Sequence, residues 1–203
     1  MAIEAYMFFQ NYPNNSPGYL LSESQVELTK SSMDLEIVDP FITAASTSNK
    51  GLFEVEDYSF DIEQILSIGS QTSGSGAGKV TFNPFSITRK IDRSSPTFYQ
   101  NACAGTPFMN VGLGMKKAAG VGTGSTGVMF LAFTFKLVAV KTWAIAHDDE
   151  APKETVTFEY GALVMQYSQQ KPDGSLNPVI SKGWNRVINK TMDDVKKNID
   201  AAK

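Results

Sequence analysis

The chain has 203 residues and a formal net charge of −3, from 18 Lys and Arg against 21 Asp and Glu. Hydrophobic residues make up 42% and charged residues 19%, a balance that suits one ordinary globular domain and excludes an intrinsically disordered segment. No basic stripe offers the clustered Lys and Arg on which nucleic-acid affinity rests, and a single cysteine, Cys103, excludes an internal disulfide framework.

The opening run MAIEAYMFFQNYPNN lacks a basic start, a long apolar stretch and a small-residue cleavage site, so it is not read as a signal peptide. The longest apolar tract, 128–140, is interrupted by Thr134 and Lys136 and is too short to span a bilayer. The expectation is a soluble chain made in the cytoplasm, with no membrane insertion, whose export would use a route other than a signal peptide.

Ile3, Ala5, Met7 and Phe9 alternate with Glu4, Tyr6 and Phe8, which predicts an opening strand. Residues 11–18 are turn-rich, with Pro13, Pro17 and Gly18. Across 19–52 short alternations (Val26 with Leu28, Leu35 with Ile37) predict a weak hairpin punctuated by Pro40 and Gly51. Tyr58, Phe60 and Ile62 alternate with Ser59, Asp61 and Glu63, as in a half-buried strand. Val80 and Phe82 then share one face, whereas Phe85, Ile87 and Ile91 have the opposite parity. A β-bulge at Asn83–Pro84 would reconcile them.

A short helix follows, with Ser94 or Ser95 as N-cap, Pro96 at its first position and Gly105 just past its end. Val111, Leu113 and Met115 predict a strand ending at Lys116 and Lys117, and 120–127 a hairpin-like loop. Met129, Leu131, Phe133, Phe135, Leu137, Trp143 and Ile145 are expected on one face of a long strand. Val156, Phe158 and Tyr160 alternate next, and Leu163, Met165 and Tyr167 follow in shifted phase, which places a second bulge at Gly161. Pro172, Asp173 and Gly174 form a turn, and 183–188 a last strand. Thr191 with Asp194 resembles a capping box, with Met192, Val195 and Ile199 on one face beyond it. This pattern predicts a mainly β, antiparallel fold, a barrel flanked by a short α-helix, plus a short C-terminal helix.

Residues 74–80, GSGAGKV, invite a phosphate-loop reading that fails twice: Ser73 stands where the first glycine is required, and Val80 where a hydroxyl would meet magnesium. A strand follows it, where phosphate binding needs a helix N-terminus. Gly122, Gly124 and Gly127 spell GxGxxG in a strand–loop–strand context, which does not support a dinucleotide site. His147, the only histidine, lies in the polar loop AHDDEAPK and reads as part of a solvated turn rather than a metal ligand. Cys103 has no second histidine to activate it and is expected to be a buried structural thiol. Asp57, Asp61 and Glu63 fall on a solvent face, away from paired acid–base work. No catalytic residue, cofactor or metal site is assigned.

The run KVTFNPFSITRKIDRSSPTFYQNACAGTPF, 79–108, resembles the central signature of Hcp, the haemolysin-coregulated proteins that form the inner tube of bacterial type VI secretion systems. The matching parts are a Gly-rich loop ending in Gly78–Lys79, a strand with a mid-strand phase shift, Lys90 with Asp92, Ser95 and Pro96, and the short helix. Further on, 154–167 resembles the family's penultimate strand, Gln170 to Gly174 its turn, and Gly183–Trp184–Asn185 its terminal strand. Residues 19–52 read as an insertion into a single domain of 1–190, and 191–203 as an extension, helical or frayed.

The resemblance implies a hexameric ring that stacks head to tail into a tube, carries a tip spike, is propelled by a contractile sheath and can hold effectors in its lumen. The expected subunit contacts are Gly74, Ser75, Gly76, Gly78 and Lys79 in the loop and Pro96, Phe98 and Tyr99 on the helix. Two other readings stay open. One is the tail-tube protein of a phage or phage-derived contractile particle, and the other a small enzyme or metal-binding module using His147 or Cys103.

Overall fold

The computed structural model describes residues 3–11, 18–24, 26, 28, 35–46, 50–64, 80–117, 127–147, 151–173 and 175–192. The opening strand, β1 (Ile3–Asn11), carries large side chains at both parities, and both are used. Met7 and Phe9 enter the main core, while Tyr6 and Phe8 enter a second, separate cluster on the opposite face. That second face is closed by helix α1 (Leu35–Ala45), where a hairpin was expected. Phe41 and Ala44, one helical turn apart, are its buried anchors, and the Phe41 ring meets Phe8 edge-on at 5.0 Å. The helix keeps Pro40 in its interior, at the cost of one backbone hydrogen bond.

After α1 the chain forms β2 (Leu52–Glu54), which pairs with β1, and β3 (Asp57–Ser59), which does not. The single strand expected around Tyr58, Phe60 and Ile62 is broken at Phe60–Asp61, beyond which β4 (Ile62–Gln64) begins. Its partner β5 (Val80–Phe82) is separated by Asn83 and Pro84 from β6 (Phe85–Lys90). There is no bulge at Asn83–Pro84. The chain changes sheets there: β4 and β5 form a two-stranded ribbon of their own, whereas β3 and β6 pair within the main sheet. The parity flip is thus the point where the ribbon leaves the sheet. Asn83 bridges that bend, donating from its backbone N–H to the Asp61 carbonyl (3.2 Å) and from its side chain to the Asp61 carboxylate (2.6 Å).

Helix α2 (Ser95–Ala104) ends on Gly105, whose φ of 69° is the left-handed conformation that favours glycine. Strands β7 (Phe108–Lys117), β8 (Val128–Ala146), β9 (Lys153–Tyr167), β10 (Ile180–Asn185) and β11 (Lys190–Thr191) complete the described elements. The main sheet runs β11-β10-β9-β8-β7-β1-β2 in antiparallel order, and β9 is long enough to pair β6 along its first half and β10 along its second. The mainly β, antiparallel class is as expected, but the barrel is not closed by a continuous ladder. The gap between β1 and β6 is spanned by the connection from β2 to β3, through two backbone bonds, Val55 N–H to Ala5 C=O (3.1 Å) and Glu56 N–H to Thr88 C=O (3.0 Å).

The phase shift at Gly161 is present without a slip in pairing, because β8 flips parity directly opposite. Phe135 pairs with Leu163 and Val138 with Tyr160, so both strands carry one extra residue, Leu137 and Gly161, at the same level. Leu137 is therefore 52% exposed, with φ of 51°, rather than on the apolar face where alternation placed it. The true slip between β8 and β9 falls between Val140 and Thr142. The capping box at Thr191–Asp194 and the helix beyond it lie outside the described residues, except that Thr191 ends β11.

Candidate assembly surface

The signature R-K-I-D-R-S-S-P builds the junction between β6 and α2. Arg89, 3% exposed, points inward and is paired with Asp92 at 2.5 Å and with Glu154 at 3.4 Å. Its guanidinium lies over the Phe53 ring, 4.6 Å from the centroid, and donates to the Ser94 hydroxyl at 2.6 Å. Burial pushes the Asp92 carboxyl up. The Arg89 guanidinium and the Ser94 donors outweigh that and hold it below its ordinary value.

Of the two candidate caps, Ser94 occupies the N-cap position, but its hydroxyl serves Asp92 and Arg89 instead of the helix. The Ser95 hydroxyl donates across to Glu154 at 2.8 Å, and Glu154, 0% exposed, also accepts the Trp143 indole N–H at 2.7 Å. The first turn of α2 is thus tied to β6, β8 and β9 by one buried polar cluster. A buried carboxylate, a half-buried one and a buried guanidinium are tolerable in one cluster only because each has partners.

Beyond this turn, α2 presents two faces. Phe98 is 0% exposed and sits in the main core against Phe9, Phe108 and Phe158, so it is a holding residue and not the surface contact expected of it. Pro96 and Tyr99 face solvent, Tyr99 at 54% exposure with its ring edge-on to Trp143 at 5.3 Å. Cys103 is exposed, not buried, because Phe98 and Ala102 take the helix positions that reach the core. Gly74, Ser75, Gly76, Gly78 and Lys79 lie outside the described residues, which resume at Val80 in the ribbon.

His147 is exposed at the end of β8, and no group of three or more His, Cys, Asp or Glu is placed to hold a metal among the described residues. No described helix is long and apolar enough to cross a membrane. Sequence reasoning missed the roles of Arg89, Glu154 and Trp143. Arg89 and Glu154 sit at inward parity in their strands, and a charged residue at a buried position is the signal that could have found them.

The family model for "Type VI secretion system effector, Hcp" matches residues 43–167. The Hcp1 protein of Pseudomonas aeruginosa is 30% identical over 110 residues, 53% of this chain and 65% of that relative, so the match spans just under two thirds of its length. A solved structure described as a type six secretion system protein superposes with a TM-score of 0.70 at 20% identity, covering 94% of this chain and all of that one. Hcp1 of Salmonella typhimurium superposes with a TM-score of 0.58 at 18% identity, over 95% of this chain and all of that one. At those identities the two structures establish a shared fold.

Proposed function

This chain belongs to the Hcp family of type VI secretion proteins, and we propose that it is a structural subunit of the inner tube, a hexameric ring that stacks head to tail on further rings. On this reading residues 1–190 form the tube subunit and 191–203 an extension. The protein is made in the cytoplasm and leaves without a cleaved signal peptide. The tube is pushed by a contractile sheath, carries a tip spike and can hold effectors in its lumen.

The observation that carries the assembly reading is the β4–β5 ribbon. All three residues of β4 are exposed, including Ile62 at 47%, and the ribbon pairs with no other strand among the described residues. A two-stranded ribbon is marginal alone in water; β5 anchors this one to the main core through Phe82, whose ring meets Tyr160, and leaves the exposed β4 strand for a neighbour to cover. The contact with an adjacent ring is assigned to the Gly/Ser-rich run between its strands, 65–79, on its composition. Pro96 and Tyr99 on α2 are the proposed contacts within the ring.

Replacing residues 74–78 with a rigid, charged segment should abolish tubes in negative-stain micrographs while the subunits keep their circular dichroism. Tubes of normal length from that variant would remove the ribbon from the assembly.

A further inference from the structure

We propose that Glu154 is the positioning residue of the α2 assembly face: its buried carboxylate sets the orientation of the Trp143 indole and of the first α2 turn, and through them the aim of Tyr99. This rests on the reading that α2 faces a neighbouring copy of the chain.

The geometry is specific. One oxygen of Glu154 accepts the Ser95 hydroxyl at 2.8 Å and lies 3.4 Å from the Arg89 guanidinium, and the other accepts the Trp143 N–H at 2.7 Å. Ser95 opens α2, and Trp143 lies on β8, on which α2 packs. The half-buried Trp143 ring meets the exposed Tyr99 ring edge-on at 5.3 Å. A carboxylate at 0% exposure is therefore two contacts away from the most exposed aromatic ring on the helix. Trp and Tyr are the side chains that dominate protein interfaces, and they do so when rigidly held.

Every partner of Glu154 is a donor, so a carboxylate suits the position and an amide does not. Gln would keep the shape but turn an N–H₂ group toward the indole N–H or the guanidinium, and one of those bonds must break. Arg89 would keep its pair with Asp92, so the loss should fall on Trp143 and the helix turn rather than on the core.

The test compares full-length variants by sedimentation velocity and micrographs, with thermal melts to confirm folding. Glu154→Gln should stay folded while the concentration for half-maximal ring formation rises by about tenfold, the weight of one buried hydrogen bond to a charged group. In a Trp184→Phe background the remaining indole, Trp143, should shift its emission to the red when Glu154→Gln is added. Tyr99→Asp tests the underlying reading separately, and should leave folded subunits that form no rings. If Tyr99→Asp blocks rings but Glu154→Gln assembles like the parent, the positioning role is wrong and the α2 face stands. If Tyr99→Asp also assembles, the α2 face itself is wrong. Should Glu154→Gln fail to fold, Trp143→Phe removes the same indole bond while keeping a ring. Weakened assembly there supports the proposal, and unchanged assembly overturns it.

Discussion

Arg89 shows how one side chain can hold several elements at once. It is buried against Phe53 and lies near Phe98, and it neutralises charge on both Asp92 and Glu154. Its removal would leave the Glu154 carboxylate buried without its countercharge and take the guanidinium from the half-buried Asp92, which is the costly way to break a buried pair. Arg89→Ala should therefore lower the unfolding free energy by about 3–5 kcal/mol in urea titrations. Arg89→Lys should recover little of it, because one ammonium cannot serve Asp92, Ser94 and Glu154 from a planar fork. A loss below about 1 kcal/mol, the range of an exposed ion pair, would show that the cluster is solvated rather than buried.

At the scale of elements, two glycines explain why α1 sits where it does. In β7, Val111, Leu113 and Met115 fill the main core, and the alternate positions are Gly112 and Gly114. A methyl group at 112 would lie 2.1 Å from the Phe8 ring, and one at 114 would collide with Met129 and Phe41. The glycines clear the ground on which Phe8, Phe41 and Met129 pack. From sequence, the inward half of β7 was legible by parity, but the outward half needs the partner element to make sense. The helix itself was hidden because Pro40 reads as a stop and Leu35 with Ile37 mimics a period of two. The ribbon was hidden for a different reason: a strand that changes sheets and a strand with a bulge both show a parity flip, and only pairing partners separate them.

The second cluster's independence from the main core gives a prediction at this scale. Phe41→Ala should cost about 3–5 kcal/mol by deleting a fully buried ring. That loss should be local to the face it covers. Amide exchange should speed up across α1 and β2 while the central ladder of β8 and β9 stays protected. Uniform loss of protection over both clusters would show instead that they form one cooperative unit.

For the whole molecule, the sequence made the mainly β class, the bounds of α2 and the family legible, because parity, Pro96 and Gly105 are local signals. Parity can flag Arg89 and Glu154 as inward charges but not that they meet, since they are far apart in the chain and come together only across β6 and β9. The carboxylates and phenols with shifted ionisation set how stability should depend on pH. Burial raises the Asp92 carboxyl, but Arg89 and Ser94 together hold it below its ordinary 3.8. The Tyr6 hydroxyl and Lys116 lower Glu4, whose side chain is nearly half exposed and so contributes less. A carboxylate with a lowered folded pKa stabilises the fold above its unfolded value, and that contribution disappears as pH falls through the folded one. Tyrosines act at the other end. Burial, then the Glu4 hydrogen bond, raises Tyr6, and burial raises Tyr19 and Tyr160, each from an ordinary 10.0. The unfolded phenols ionise first, so stability falls as pH rises beyond that value. Denaturant titrations should thus give a plateau across neutral pH with a loss below 3.8 and another above 10.0. Asp92→Asn should lower the plateau and flatten the acid limb, leaving the alkaline limb in place. An acid limb as steep in Asp92→Asn as in the parent would place the acid-sensitive group elsewhere, and constant stability between about pH 9 and about pH 11 would refute the tyrosine contribution.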